Sequence, residues 1–551
     1  MEDITTLADD FYAYLQLTQQ MDALWKGDLT YLEEWEDFTP EGVAERRREL
    51  RRFAARADGT VKTQGSHPTL DLVAHAARAL DAELEFYHDL QAANSAVGFH
   101  PMVLTFLPRY PLVSAEHGER YLVKLHNLVP TLEAFMTRLT GASGTGRVPI
   151  RTIVRQSIGG LDHHLASDPD DDPLIAQPAP TDLDDGAAAI WKEALRDIVV
   201  EEVRPAWISV RDTLRDTVLP VAPPDEKAGL VHYDGGSSAY ADLIFGNVTR
   251  SYPAQEIHDI GLEQIAKLED EYRAIAGPLL DTTDVDEIYS RLRDDPSLHY
   301  RDARTLVADA TGAIAKASTA MGNWFGVLPK APCVATSIDQ GPLAFYSQPS
   351  EDGSQPGTFF FNTADPSMWG TFQLEATAYH EGIPGHHLQV TLTLENDDLH
   401  DLHKQPLSVA YLEGWALYTE RLADEMGLYS TEMDRVGMLT ADSMRACRLV
   451  VDTGLHALGW SRAHAVTYML EHSPMTRRQV EGEIDRYIGN PGQALGYMMG
   501  RLEIERIRAS AEERLGDRFE IKAFHDVVLG NGDVPLGTLD RLVDQWIESQ
   551  G

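Results

Sequence analysis

Apolar residues at Phe11, Tyr12, Leu15 and Leu17 begin the chain with the spacing of an amphipathic helix. Glu41 to Ala57 is dense in Arg, Glu, Leu and Ala, all strong helix formers. Leu70 to Leu90, Glu119 to Leu139 and Ala187 to Val218 continue the pattern. Two stretches interrupt it. Ser167-Asp168-Pro169-Asp170-Asp171-Asp172-Pro173 reads as a loop, and Pro220-Val221-Ala222-Pro223-Pro224-Asp225 as a break between larger units. The second break divides the chain into a helical region, 1–225, and a second region, 226–551.

Beyond the break the pattern changes. His232-Tyr233-Asp234-Gly235-Gly236 is a glycine-rich turn, and Glu256 to Ile275 is spaced for a helix. Pro342 to Tyr346 and Thr358 to Asn362 are aromatic runs bounded by Gly, Pro and Ser, which predicts short strands. From Phe372 to the end helical spacing returns, broken at Gly489-Asn490-Pro491-Gly492. No internal repeat and no low-complexity tract is present. These elements predict a mainly α fold with a small β-sheet near the middle of the chain.

With 551 residues, 43% hydrophobic and 24% charged, the composition is that of a globular protein. The formal charge of −40 repels nucleic acid and anionic membrane, and neither is expected as a partner. The two cysteines, Cys333 and Cys447, allow one disulfide but exclude a disulfide framework, and separate thiols in a reducing compartment are the favoured reading. Met1-Glu2-Asp3-Ile4 lacks the basic and apolar runs of a signal peptide, and no apolar stretch is long enough to cross a bilayer. The expected location is the cytoplasm. Assembly is left open, with a homodimer among the options.

The candidate chemistry lies in Tyr379-His380-Glu381-Gly382-Ile383-Pro384-Gly385-His386-His387-Leu388-Gln389. In the common zinc motif two histidines four residues apart share a helix face, and a glutamate beside the first polarises water. Here the second histidine stands six or seven residues on. On a regular helix position i+6 is rotated by about 240° and displaced by about 9 Å, and i+7 lies about 10.5 Å along the axis. Neither reaches a zinc ion whose bonds to nitrogen are about 2.0–2.1 Å. The intervening residues answer the objection. Pro384 has no N–H for the carbonyl of His380, Ile383 is pushed out of the α region, and Gly382 and Gly385 permit unusual backbone angles. A helix bulged at Pro384 would bring the second histidine to the metal. Otherwise one helix ends at Glu381, another starts near Gly385, and the histidines lie on the surface.

Glu413, in Tyr411-Leu412-Glu413-Gly414-Trp415-Ala416, supplies a third ligand from a helix predicted over Pro406 to Asp424. His380, Glu413 and either His386 or His387 would hold one Zn²⁺ per chain, leaving a fourth position for water. Glu381 is the expected general base. Glu420, two turns past Glu413 on the same face, is either a supporting partner of the site or solvated, with the solvated reading slightly favoured. His456, four residues after Asp452, and Tyr497, past the 489–492 break, are candidate donors to the oxyanion of a tetrahedral intermediate. Arg445, Arg448 and Arg501 are candidates to clamp a substrate carboxylate. The strand Thr358–Asn362 either pairs through its edge with an extended peptide or lies inside the sheet.

His380 to Gln389 resembles the H-E-G-x-P-G-H-H-x-Q signature of the domain-of-unknown-function 885 family. The Glu-Gly-Trp-Ala block at Glu413, the run Arg448 to His456 and Pro491 to Tyr497 resemble it too, and the likeness extends over nearly the whole chain. The resemblance implies a fold similar to the carboxypeptidase Taq family: a mainly helical metallopeptidase of the gluzincin kind with a deep cleft, one wall of it formed by residues 1–225 and the catalytic residues in 226–551. Gly385-His386 aligns with the Gly-His ending of H-E-x-G-H, which selects His386 over His387. The expected function is zinc-dependent hydrolysis of short peptides, with carboxypeptidase action implied by the resemblance alone. The alternative is a non-catalytic helical binding protein that keeps the fold.

Overall fold

The computed structural model describes residues 3–21, 29–84, 90, 94, 98–350, 353 and 355–551. The predicted periodicities become α1 (Ile4–Thr18), α2 (Pro40–Gln64), α3 (Pro68–Ala82) and α4 (Ala115–Thr145). In α1, Phe11 and Leu15 face inward while Leu17 is exposed, so the apolar stripe is narrower than its sequence suggests. The stretch 85–89 of the third predicted helix lies outside the described residues. The run Ala187 to Val218 is helical throughout: α5 (Asp185–Ile198), a π-turn over Val199–Val203, α6 (Arg204–Thr213) and a second π-turn over Leu214–Val218.

The predicted break at 220–225 is followed by α7 (Gly236–Val248), α8 (Ala254–Leu280) and α9 (Ala303–Ala320). The small sheet follows. Strands β1 (Cys333–Ile338), β2 (Ala344–Ser347) and β3 (Gly357–Asn362) lie in the order β1-β3-β2. β1 runs parallel to β3, with Cys333 opposite Gly357, and β2 runs antiparallel, with Phe345 opposite Phe360. β1 lacks an aromatic run and was not legible as a strand. β3 is central, so both of its edges are already paired and it offers none to a peptide. Phe359 and Phe361 are buried, as three successive phenylalanines require.

The remainder is helical: α10 (Leu374–Glu381), α11 (His386–Leu394), α12 (Val409–Glu425), α13 (Glu432–His456), α14 (Arg477–Gly489) and α15 (Leu495–Leu515). One apolar core joins α7, α8, α13 and α14; a second gathers α9, β3, α10 and α12. Two further cores belong mainly to the first 225 residues. Among the described residues no helix is long and apolar enough to cross a membrane. Cys333 and Cys447 are both free thiols.

Candidate metal centre

The sequence Gly382-Ile383-Pro384-Gly385 ends one helix and starts another; it does not bulge a continuous one. α10 stops at Glu381, the Ile383–Pro384 peptide is cis, and α11 begins at His386. Gly382 N–H closes onto the Ala378 carbonyl at 2.9 Å, and His387 N–H returns to the Gly382 carbonyl at 3.0 Å. A Cβ on Gly385 would stand 1.9 Å from the His380 carbonyl oxygen, so only glycine permits this close return. The two helices are therefore folded back tightly, and the histidines are buried rather than on the surface.

α12 brings Glu413 to them. The two residues that lead into it are held by a carboxylate: Asp533 accepts from the Leu407 and Ser408 amides at 2.6 and 2.9 Å. Gly414 then allows α15 to cross closely, since a Cβ there would lie 2.5 Å from the backbone of Gly500. Trp415, fully buried, donates from Nε1 to the Pro384 carbonyl at 3.1 Å and so ties α12 to the interhelical loop.

The result is a cluster of His380, His386 and Glu413. Glu413 Oε2 lies 3.5 Å from His380 Nε2 and 3.4 Å from His386 Nε2. These separations are long for charge-assisted hydrogen bonds, which run about 2.7–2.9 Å. They match the spacing of about 3.3 Å between ligands that a tetrahedral ion with bonds of about 2.0–2.1 Å requires. Glu413 Oε2 is buried and finds no hydrogen-bond donor. Two imidazoles and a carboxylate with an unused oxygen between them are a donor set that fits zinc.

Glu420 completes the cluster from one side. It is buried, and its Oε1 stands 2.8 Å from His380 Nδ1, turning Nε2 toward Glu413. The expectation that Glu420 is solvated is thus overturned; the signal for it was its place two turns beyond Glu413 on the same helix face. Burial works to lower the His380 imidazole, but the adjacent carboxylates of Glu413 and Glu420 override this and push it up to about 9. Burial likewise works to raise Glu413, and the two histidines hold it well below the usual carboxylate range. His386 Nδ1 is buried without a partner. Glu381, the last residue of α10, is partly exposed, and its carboxylate has no hydrogen-bond or ion-pair partner among the described residues.

Over residues 22–543 the chain matches the family described as bacterial protein of unknown function, DUF885. It belongs to the DUF885 family. The DUF885 chain is similar to the structure of a "putative lipoprotein" from Colwellia psychrerythraea, at 27% identity and a TM-score of 0.90 over 99% of both chains. A "putative lipoprotein of unknown function" from Shewanella oneidensis shares the fold at 18% identity, with a TM-score of 0.71 over 98% of this chain and 100% of that one. No curated protein matches.

Three other residues singled out in the DUF885 chain resolve differently. His387 is a strut: its Nδ1 meets Tyr346 Oη at 3.0 Å and its Nε2 meets the Ala331 carbonyl at 3.1 Å, pinning α11 to the sheet. With both nitrogens occupied it is not a ligand, and burial pushes it down to about 4. His456 is not available as an oxyanion donor. It is fully buried; Nδ1 accepts from the Leu230 amide at 3.2 Å and Nε2 faces the Tyr487 carbonyl at 3.1 Å. Its expected partner Asp452 instead accepts from Tyr240 Oη at 2.6 Å and the Gly492 amide at 3.0 Å. A four-residue spacing put both on one helix face, but each found a nearer backbone or phenol partner. Tyr497 does lie by the cluster. Burial and the Glu413 charge raise its phenol above the usual range, and its ring stacks on Arg448 at 4.4 Å.

Proposed function

We propose that this protein is a zinc-dependent peptidase that hydrolyses short peptides, with carboxypeptidase action as the specific form. The observation that carries the reading is the 3.4 and 3.5 Å spacing of His386 and His380 about an unpaired oxygen of Glu413, with Glu420 orienting His380 from behind. A histidine ligand held by a carboxylate on its second nitrogen is the recurrent support of a zinc site. Bound at these three side chains, zinc supplies Lewis acidity toward a carbonyl and makes water acidic enough to react near neutral pH.

The chain's own residues do the rest. Glu381, partner-free and one residue after His380, takes the proton from water and returns it to the leaving amine. Tyr497, the remaining donor candidate beside Glu413, places a phenol O–H toward developing negative charge. Substrate is a short peptide reaching the cluster through the space between the first 225 residues and the second region. We propose the cytoplasm as the location and neither nucleic acid nor membrane as a partner; "lipoprotein" is said of the two similar structures.

Metal analysis of protein purified without chelator should find about one zinc per chain. Glu381→Gln should keep the zinc and lose hydrolysis of a mixed peptide library. Hydrolysis unchanged in that variant removes Glu381 as the base. Intact folding with no bound metal replaces the enzyme by a non-catalytic binding protein of the same fold.

A further inference from the structure

Three arginines stand near the cluster, and their hydrogen bonds separate them. Arg501 gives Nη1 to Asp442 at 2.6 Å, inside an ion network that also holds Arg421. Arg445 lies 3.5 Å from Glu420, which balances its charge, and gives Nη1 to the Ala441 carbonyl. Arg448, one turn further along α13, is different. Its Nε donates to Tyr487 Oη at 2.8 Å and its Nη2 to Glu483 Oε2 at 2.9 Å. The same Glu483 oxygen also receives Arg486 Nη2 at 3.0 Å and the Tyr487 hydroxyl. Two guanidinium groups thus share one carboxylate, and a positive charge is left over. Arg448 is 5% exposed, and its Nη1, like the Nε of Arg445 and of Arg501, is buried with no acceptor; the surplus charge is what sets Arg448 apart. Leaving such a donor unmatched is costly, and a chain of net charge −40 has no general need for a buried surplus cation.

Position supplies the reason. The Arg448 guanidinium carbon sits over the Tyr497 ring, 4.4 Å from its centroid, and Tyr497 feels the charge of Glu413. A cavity of about 350 Å3 opens at Gln493, which accepts from Arg486, the second guanidinium on Glu483. Val409, one turn ahead of Glu413, and Gln493, the acceptor for Arg486, line one side of it; Trp35 and Phe99 line the other. We propose that Arg448 receives a carboxylate of the ligand, and that this carboxylate is the free C-terminus of a short peptide. Tyr497 supports one side of the guanidinium, whose planar fork matches a planar anion. This rests on the peptidase reading of the same site and supplies the residue that would make it a carboxypeptidase.

The test separates the two ideas. Zinc-loaded Glu381→Gln protein is mixed with three sets of N-acetylated tripeptides: free C-termini, C-terminal amides, and amides ending in Glu. Retained peptides are measured by ultrafiltration and mass spectrometry. The free-acid set should be retained at least about tenfold better than either amide set. Adding Arg448→Gln should reduce it to the amide level and leave the amide sets unchanged, and Arg448→Lys should recover part of the difference. Should Arg448→Gln not fold, Arg448→Met with Glu483→Gln removes the pair together, and the same loss is expected. Equal retention of all sets, equal weakening of all sets by Arg448→Gln, or no retention of any overturns the proposal. Retention of Glu-ending amides at the free-acid level overturns the C-terminal assignment. Arg448-dependent retention in a protein whose parent hydrolyses nothing keeps the carboxylate site and discards the peptidase. Hydrolysis in the parent with no preference for a free C-terminus does the reverse.

Discussion

Glu420 governs the cluster through a single contact. Its Oε1 sits 2.8 Å from His380 Nδ1 and selects the ring orientation that leaves Nε2 for metal. Glu420→Gln keeps the shape and changes the partner's charge and protonation, and zinc affinity should fall by about 10–100-fold, as losses of such supporting groups do. A competition titration against a chromogenic chelator measures it; unchanged affinity would show that the contact is idle. The same contact makes loading pH-dependent. In the metal-free protein His380 titrates at about 9, raised by Glu413 and Glu420 against the effect of burial, so near pH 7.5 it carries a proton. Zinc needs the neutral imidazole, and binding must expel that proton. Calorimetric titrations at pH 7.5 in buffers of different ionisation enthalpy should report release of about one proton per zinc, and affinity should rise as pH is raised toward 9.

At the scale of elements, close backbone contacts position the cluster. Gly414 lets α12 and α15 cross where a Cβ would collide with Gly500. Gly414→Ala should destabilise the fold by about 1–3 kcal/mol, the ordinary cost of overpacking, and loosen zinc with it because Glu413 is the adjoining residue. Thermal melts with and without added zinc separate the two effects. A second device holds the start of α15. Asp452 accepts from Tyr240 and from Gly492 in the turn that precedes Tyr497. Burial raises Asp452 from 3.8 to about 7. The fold favours its neutral form, so the stability it contributes is complete below about pH 3.8 and is lost as pH rises toward 7. Asp452→Asn should flatten the dependence of stability on pH across that window; an unaltered curve would show that another group controls it.

For the whole molecule the dominant quantity is the charge of −40. Many arginines are already paired with carboxylates, as Arg120 is with Glu33 and Arg508 with Glu425, so the excess negative charge acts through self-repulsion at longer range. Salt at about 0.15 M shortens that range to about 8 Å. The midpoint of thermal unfolding should therefore rise as sodium chloride goes from low millimolar to about 0.2 M. A fall would mean that screening of the ion pairs outweighs relief of the repulsion. The same charge predicts no retention on nucleic acid at any ionic strength, which a gel-shift assay would check.

The division between sequence and tertiary structure follows from range. Helix positions, the 220–225 break, two of the three strands and the side chains of the candidate cluster were legible, because periodicity, proline, glycine and ligand chemistry act over a few residues. His380 and Glu413 could be named because zinc restricts its donors to a few residue types, whereas the choice of His386 over His387 came only from the resemblance to the carboxypeptidase Taq family. What the spacing could not say was how the gap is bridged: two helices folded back on Gly385 replace the bulged helix, and that depends on the carbonyls of His380 and Tyr379 passing close by. Long-range packing also decided the remaining roles. His387 and His456 have the same chemistry as His386, but one met Tyr346 and the other met the backbone of Leu230 and Tyr487. Glu420 and Arg448 acquired their significance only when α10, α13 and α15 came together around α12. A side chain's chemistry is written in its own residue, whereas the use made of it depends on which buried partners the packed chain leaves within reach.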